Sequence, residues 1–399
     1  MAKRPASTAF LLSIVVLGLT TPCSRAAETF FSGSSICSQV ITPTPLDRDD
    51  LDLRRDWGVR LLPDNDPTFD DPEYLAELIK LARPGAVGMD PQWRGIHDSI
   101  IDRLDNIWMV SAVGKPVRYT HSGTDANNAL FEFAEYAFHQ RTGREAKRVQ
   151  LLHFKNPYAG VNGRISEYSN RYPKTETNSL YEIPSPFVKN LSPVQGNDLI
   201  QVEALEKSAL EFVRRQVSDA SLEIGALFIE PISVYQGLHF FRPEFLLQLR
   251  ALADDLQVPI FADEVLTGGG RTGKFWAFSH YPGFEPDLIT FGKGIGISGI
   301  RYIKRTREHL MDIRDDGVRW DFIRIGRGVN GRIYDNTSQA NALVILQASQ
   351  ILKRIYEGNL RKNAELTGQY FLTRLREKAK QIGIPEDKPV QCKCRECLS

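Results

Sequence analysis

Between residues 149 and 291 the chain alternates short, predominantly apolar runs with longer amphipathic stretches. Val149–Phe154, Ala226–Ile229, Pro259–Ala262 and Leu288–Phe291 are four to six residues long and bounded by polar residues. They are too short for helices and lack the strict alternation of a strand wetted on one face. They therefore read as strands buried on both faces. Between them, 201–217 and 243–257 place apolar residues at helical spacing. The segment 128–140 does so ahead of them and stops at Gly143. Strands alternating with helices predict an α/β fold, a mostly parallel sheet flanked by helices.

Either side of that core the pattern changes. Residues 28–75 are rich in Ser, Thr, Pro and Asp and show no sustained period, so 28–100 is read as an irregular arm and remnant segment. The large domain spans 101–335. Asn336–Tyr356 then reads as one long helix and 359–382 as a charged one, placing a smaller C-terminal lobe over 336–399.

Polar residues gather where the predicted strands end: Glu230 after Ile229, Asp263 and Glu264 after Ala262, Lys293 after Phe291-Gly292. In open α/β sheets the ligand crevice lies outside the carboxyl ends of the strands. Three acids and a lysine collected there point to an enzyme.

Three glycine-rich segments compete for a phosphate-binding role. Gly268–Lys274 matches G-x-x-x-x-G-K, but Phe275 stands where a P-loop needs Ser or Thr for magnesium. Gly294-Ile-Gly-Ile-Ser-Gly299 matches G-x-G-x-x-G, yet Ile300-Arg-Tyr-Ile-Lys-Arg continues it without an apolar helix face. Ser122-Gly123-Thr124 precedes the helix at 128–140, where backbone amides and two hydroxyls form an anion site without a lysine. Ordinary capping by Ser122 explains the same residues equally well.

Composition narrows the classes further. With 50 Lys and Arg against 49 Asp and Glu among 399 residues, the net charge is +1. That balance speaks against a nucleic-acid binder and against an acidic disordered chain. Lys3 and Arg4 precede the apolar run Ala9–Leu19, and small residues follow at Ser24, Ala26 and Ala27. This describes a secretory signal peptide over 1–27, so export to the periplasm or medium is expected if it is used, and a cytoplasmic location otherwise. The run is short for a membrane span, and no other stretch is apolar enough, so no membrane association is expected after its removal. Cys392, Cys394 and Cys397 cluster at the end without a nearby His, reading as a loose, disulfide-competent tail rather than a metal site.

The string Asp263-Glu-Val265…Gly270-Arg-Thr-Gly273…Pro286-Asp287…Gly292-Lys293, with 30 residues from Asp263 to Lys293, closely resembles the class III aminotransferases. These are fold type I pyridoxal-phosphate enzymes, and the resemblance runs with gaps from about Tyr119 to about Gln347. It implies that Lys293 forms the Schiff base with pyridoxal 5'-phosphate and shuttles the substrate proton. Asp263 would keep the pyridine nitrogen protonated so that the ring can accept electrons. Gly123 and Thr124, beside Ser122, match the phosphate turn, with Asp125 in place of the usual Glu. Tyr158 matches the aromatic that stacks on the ring, with Ala159 replacing the His of a Tyr-His-Gly motif. Val265 would cover the opposite face, and Glu230 would stand near cofactor and substrate. Thr337 matches the threonine that reaches the neighbouring subunit's phosphate, implying a homodimer with shared sites.

The implied reaction moves an amino group between an amino acid or amine and a 2-oxo acid. A racemase, aminomutase or decarboxylase on the same scaffold stays open, as does a secreted non-catalytic binding protein. The family continues beyond Lys388-Pro-Val-Gln with small-domain strands, so a truncated C-terminal lobe is expected.

Overall fold

A computed structural model describes residues 71–81, 116–155, 157–169, 180–188, 196–234, 238–303 and 342–383. Seven strands form one sheet: β1 (Pro116–Thr120), β2 (Gln150–Phe154), β3 (Glu182–Ile183), β4 (Ile224–Ile229), β5 (Ile260–Asp263), β6 (Leu288–Phe291) and β7 (Ser298–Tyr302), in the spatial order β1-β7-β6-β5-β4-β2-β3. From β6 through β3 every pairing is parallel, whereas β7 runs antiparallel to both its neighbours. The helices are α1 (Pro72–Leu81), α2 (Gly123–Thr142), α3 (Gly196–Ser218), α4 (Pro243–Asp255), α5 (Ala342–Glu357) and α6 (Leu360–Gln381).

The apolar runs are continuous because both faces of the sheet are covered. Alternate residues divide between two cores: Ala226, Phe228, Phe261 and Leu288 pack with Leu130, Phe131, Phe133 and Ala134 of α2. Leu227, Ile229, Ile260, Ala262 and Ile289 join Phe245 and Leu249 of α4 and Ile345 and Leu352 of α5 on the other face. Burying a side chain of this size contributes about 1.5–3 kcal/mol. The two-sided burial therefore fixes which residue of each strand faces which helix, since a one-residue slip would exchange the faces.

Several expectations are refined. Helix α2 begins at Gly123, one turn and more before the periodic segment at 128–140, and ends as expected on Gly143 in the left-handed conformation. The G-x-G-x-x-G segment runs from a short turn into β7, not into a helix, so it lacks the strand–helix setting of a dinucleotide site. Gly268–Lys274 is a succession of turns closed by buried Phe275, which removes the P-loop geometry as well. Within the segment 28–100, residues 72–81 are helical, and Tyr74 belongs to the main core. Among the described residues no helix is long and apolar enough to cross a membrane, and no cluster of potential metal ligands occurs.

Candidate active site

Strand β5 delivers Asp263 to the carboxyl edge of the sheet on the face covered by α2. The carboxylate is buried. Its Oδ1 accepts a 2.9 Å bond from the Val265 amide, and its Oδ2 a 2.7 Å bond from Asn127 Nδ2. Burial raises its pKa, and those two donors together with the charge of Lys293 oppose the rise.

Lys293 follows β6 as the first residue of the turn Lys293–Ile295 and has φ of 46°, a left-handed backbone unusual for a side chain of this size. Gly292 and Gly296 flank the turn. The ammonium nitrogen lies 5.7 Å from the centroid of the Tyr158 ring. Burial lowers the Lys293 pKa, and the nearby Arg271 charge adds to that, while Asp263 and Glu230 pull the other way. Burial is the largest influence on both Lys293 and Asp263, and it favours the neutral form of each.

The amino end of α2 faces the same crevice. Ser122 is its N-cap, accepting a 3.2 Å bond from the Asp125 amide and donating a 2.8 Å bond to Asp125 Oδ2. Asp125 thus completes the cap through its shorter side chain, and the turn forms despite the substitution. Gly123 and Thr124 stand half-buried in the first turn, where the helix dipole favours an anion. A Cβ at Gly123 would lie 2.4 Å from Val265 Cγ1. Only a glycine lets this first turn approach Val265 so closely. Gly160, beside Tyr158, leaves similar room for Thr124: a Cβ there would lie 2.8 Å from Thr124 Cγ2.

Glu230 closes the crevice after β4. It accepts a 2.9 Å bond from Ser233 Oγ and another from the Tyr158 amide. Burial first, and the Asp263 charge second, push its pKa up to about 8. Beyond it, Phe154, Phe187 and Phe241 form an aromatic wall with Lys155 at the rim.

These residues fall inside a family match. The chain matches the aminotransferase class III family over residues 96–387, well over half its length. The chain belongs to the class III aminotransferases. It is 29% identical over 287 residues to a [LysW]-aminoadipate semialdehyde/glutamate semialdehyde transaminase of Sulfurisphaera tokodaii, covering 70% of this chain and 58% of that protein. It is 30% identical over 328 residues to an alanine/serine racemase of Pyrococcus horikoshii, covering 78% of this chain and 62% of that one. The chain therefore spans about three fifths of the length of these relatives. In fold it resembles the lysine aminotransferase of M. tuberculosis, with a TM-score of 0.64 at 24% identity, over 82% of this chain and 72% of that one. The sheet flanked by helices is thus fold type I, and the cofactor of the class III aminotransferases is pyridoxal 5'-phosphate.

Of the residues read from the sequence, Ser122, Gly123, Thr124, Tyr158, Glu230, Asp263, Val265 and Lys293 lie around one crevice. Thr337, the leader 1–27 and the cysteine tail lie outside the described residues. Asn127 and Thr290 were not read from the sequence. Two adjacent asparagines one turn into a helix, both poor helix formers, are the signal that could have found the first. Nothing marks Thr290 within its apolar run.

Glu264 and Asp287, part of the family string, stand outside the crevice. Glu264 Oε1 accepts a 2.8 Å bond from the Phe278 amide, and Oε2 accepts the Thr267 hydroxyl, which ties the glycine-rich loop shut. Burial pushes Glu264 up to about 7. Asp287 Oδ2 receives Arg250 at 2.7 Å and the Ile260 amide at 2.8 Å, pinning α4 to the sheet.

Proposed function

We propose that the chain is a pyridoxal-phosphate-dependent aminotransferase that moves an amino group between an amino acid or amine and a 2-oxo acid. One observation carries this reading: a lysine amine shifted toward its neutral form by burial shares a crevice with a hydrogen-bonded buried carboxylate, an aromatic ring and a helix amino terminus. The donor set fits pyridoxal phosphate group by group. The first turn of α2, with Ser122 and Thr124, suits a phosphate, and the glycine at 123 lets Val265 pack directly against that turn. Tyr158 and Val265 suit the two ring faces, and Asp263 a ring nitrogen.

When bound, the cofactor supplies an aldehyde for an amine and a ring that takes up electrons. The protein's own part is to place the atoms and move protons. Asp263 holds a proton on the ring nitrogen through its charge. The amine of Lys293, its pKa lowered by burial, accepts a proton from the substrate carbon and returns it. Glu230, protonated through much of the neutral range, presents a polar edge to the substrate without a full charge. The sequence match at Thr337 supports a homodimer in which that threonine would serve the neighbouring subunit's phosphate. Residues 1–27 support export.

The similarity to an alanine/serine racemase favours a second reading, in which the same lysine serves inversion at the α-carbon. One experiment separates them. The protein is loaded with pyridoxal phosphate, its visible band is recorded before and after borohydride, and amino donors are assayed with and without a 2-oxo acid. A reducible band fixed on the peptide carrying Lys293, with turnover only when the 2-oxo acid is present, is expected. Inversion of alanine or serine without an acceptor would establish the racemase. A bound cofactor with neither activity would establish a non-catalytic binding protein.

A further inference from the structure

Asn127 lies in the second turn of α2, almost wholly buried, and all the hydrogen-bonding capacity of its amide nitrogen is in use. Nδ2 donates at 2.7 Å to Asp263 Oδ2 and at 2.7 Å to the Ala159 carbonyl, and Oδ1 accepts at 2.7 Å from Thr290 Oγ1. An amide carries two donors on one side and an acceptor on the other. Here two acceptors face the nitrogen and a hydroxyl faces the oxygen, so only one orientation satisfies all three partners. The four residues come from four elements: α2, the loop bearing Tyr158, the end of β5, and β6 three residues before Lys293.

We propose that Asn127 is the positioning residue of the site, orienting Asp263 toward the ring nitrogen and keeping it anionic while locking the Tyr158 loop to the same point. This rests on the pyridoxal-phosphate reading above. The physical argument concerns a buried carboxylate. Desolvation drives it toward the protonated form, in which it can no longer hold a proton on a ring nitrogen. It accepts bonds from the Val265 amide and the Asn127 amide, and the Thr290 hydroxyl also favours its ionised form. The Val265 donor is backbone, so Asn127 is the side chain whose 2.7 Å bond most directly aims the carboxylate. Thr290 acts both on Asp263 and by holding the Asn127 amide in the orientation that points a donor at it.

The role is read by comparing the dissociation constants of pyridoxal phosphate and its 1-deaza analogue, in which carbon replaces the ring nitrogen. An ionised, aimed Asp263 makes the natural cofactor bind more tightly than the analogue. Asn127→Leu, of similar volume, is expected to shrink that preference about tenfold, as befits losing a hydrogen bond to a charged group. Thr290→Val is expected to shrink it less. Both are also expected to move the pH titration of the visible band of the loaded protein. A merely structural asparagine would lower thermal stability and leave preference and titration unchanged. That result in a folded Asn127→Leu protein overturns the proposal, and if Asn127→Leu does not fold, an unchanged preference in Thr290→Val overturns it equally. A wild-type protein that forms no reducible band defeats the reading of the site itself, so the two failures are distinct.

Discussion

Asp263 and Glu264 are chain neighbours, both acidic and both buried, yet they serve different regions of the molecule. Asp263 ends β5 on the α2 face and opens into the crevice between Lys293 and Asn127. Glu264 turns the other way, to the hydroxyl of Thr267 and the amide of Phe278, and holds a loop closed. The same contrast separates Lys293 from the Arg250–Asp287 pair. Burial around the crevice creates tunable charge, whereas the scaffold carboxylates spend their oxygens on bonds that hold elements together. Much of the family string is therefore structural: Asp287 pins α4 to the sheet and Glu264 ties a loop.

Substitutions test this division, and the largest effect is expected at the lysine. Lys293→Ala should lower turnover by at least about a thousandfold, through loss of both nucleophile and proton carrier. Its melting temperature should stay near wild type, because the partners of the amine, the Tyr158 ring and the charges of Asp263 and Glu230, all belong to the crevice. Retained turnover would break the assignment. On the scaffold side, Asp287→Ala strands the Ile260 amide in the core and leaves Arg250 paired only with Asp254, which should cost about 3 kcal/mol in denaturant unfolding. The cofactor band should persist in whatever fraction stays folded. A variant as stable as wild type would show that the pair is dispensable.

Asp263→Asn should reduce kcat about a hundredfold while weakening cofactor binding much less, because the amide keeps the shape and loses the charge. Steady-state kinetics and a binding titration check the split. The smallest effect concerns pH. Glu264 has its pKa raised from 4.5 to about 7, so the folded state keeps a proton that the unfolded chain releases. Its contribution is favourable below about pH 4.5 and is progressively lost as the pH rises to about 7. Glu264→Gln cannot release that proton. Wild type should therefore lose melting temperature relative to the variant across this window and run parallel above it. Parallel curves throughout would mean that Glu264 is ionised in the folded protein.

The sequence pattern reached β2, β4, β5 and β6 because each of these is buried on both faces. It missed β3, which is only two residues long and half polar, and it missed β1 and β7 for a related reason. Pro116-Val-Arg-Tyr-Thr120 and Ser298-Gly-Ile-Arg-Tyr302 mix Arg, Ser and Gly into short runs, and their burial comes from neighbours far away in sequence. The start of α2 was hidden by the turn-like composition of Ser122 to Asn128, which is needed at a helix amino terminus that meets an anion. The residues proposed to hold the cofactor were legible because their types are demanded by its chemistry. Asn127 and Thr290 were not, because they act on a protein carboxylate, and their spacing from Asp263 is set only by the fold.

The reversal of β7 has a mechanical consequence. Lys293 sits in a short link whose two ends are stitched together in the sheet, with Phe291 opposite Gly299 and Thr290 opposite Ile300. Its backbone is a fixed post, and the amine moves only as far as the side chain swings. On the proposed reaction, substrate atoms are carried to the lysine, since the lysine cannot be carried to them. The amine is a tether on a rigid anchor, and its radius limits how far from the sheet edge it can reach.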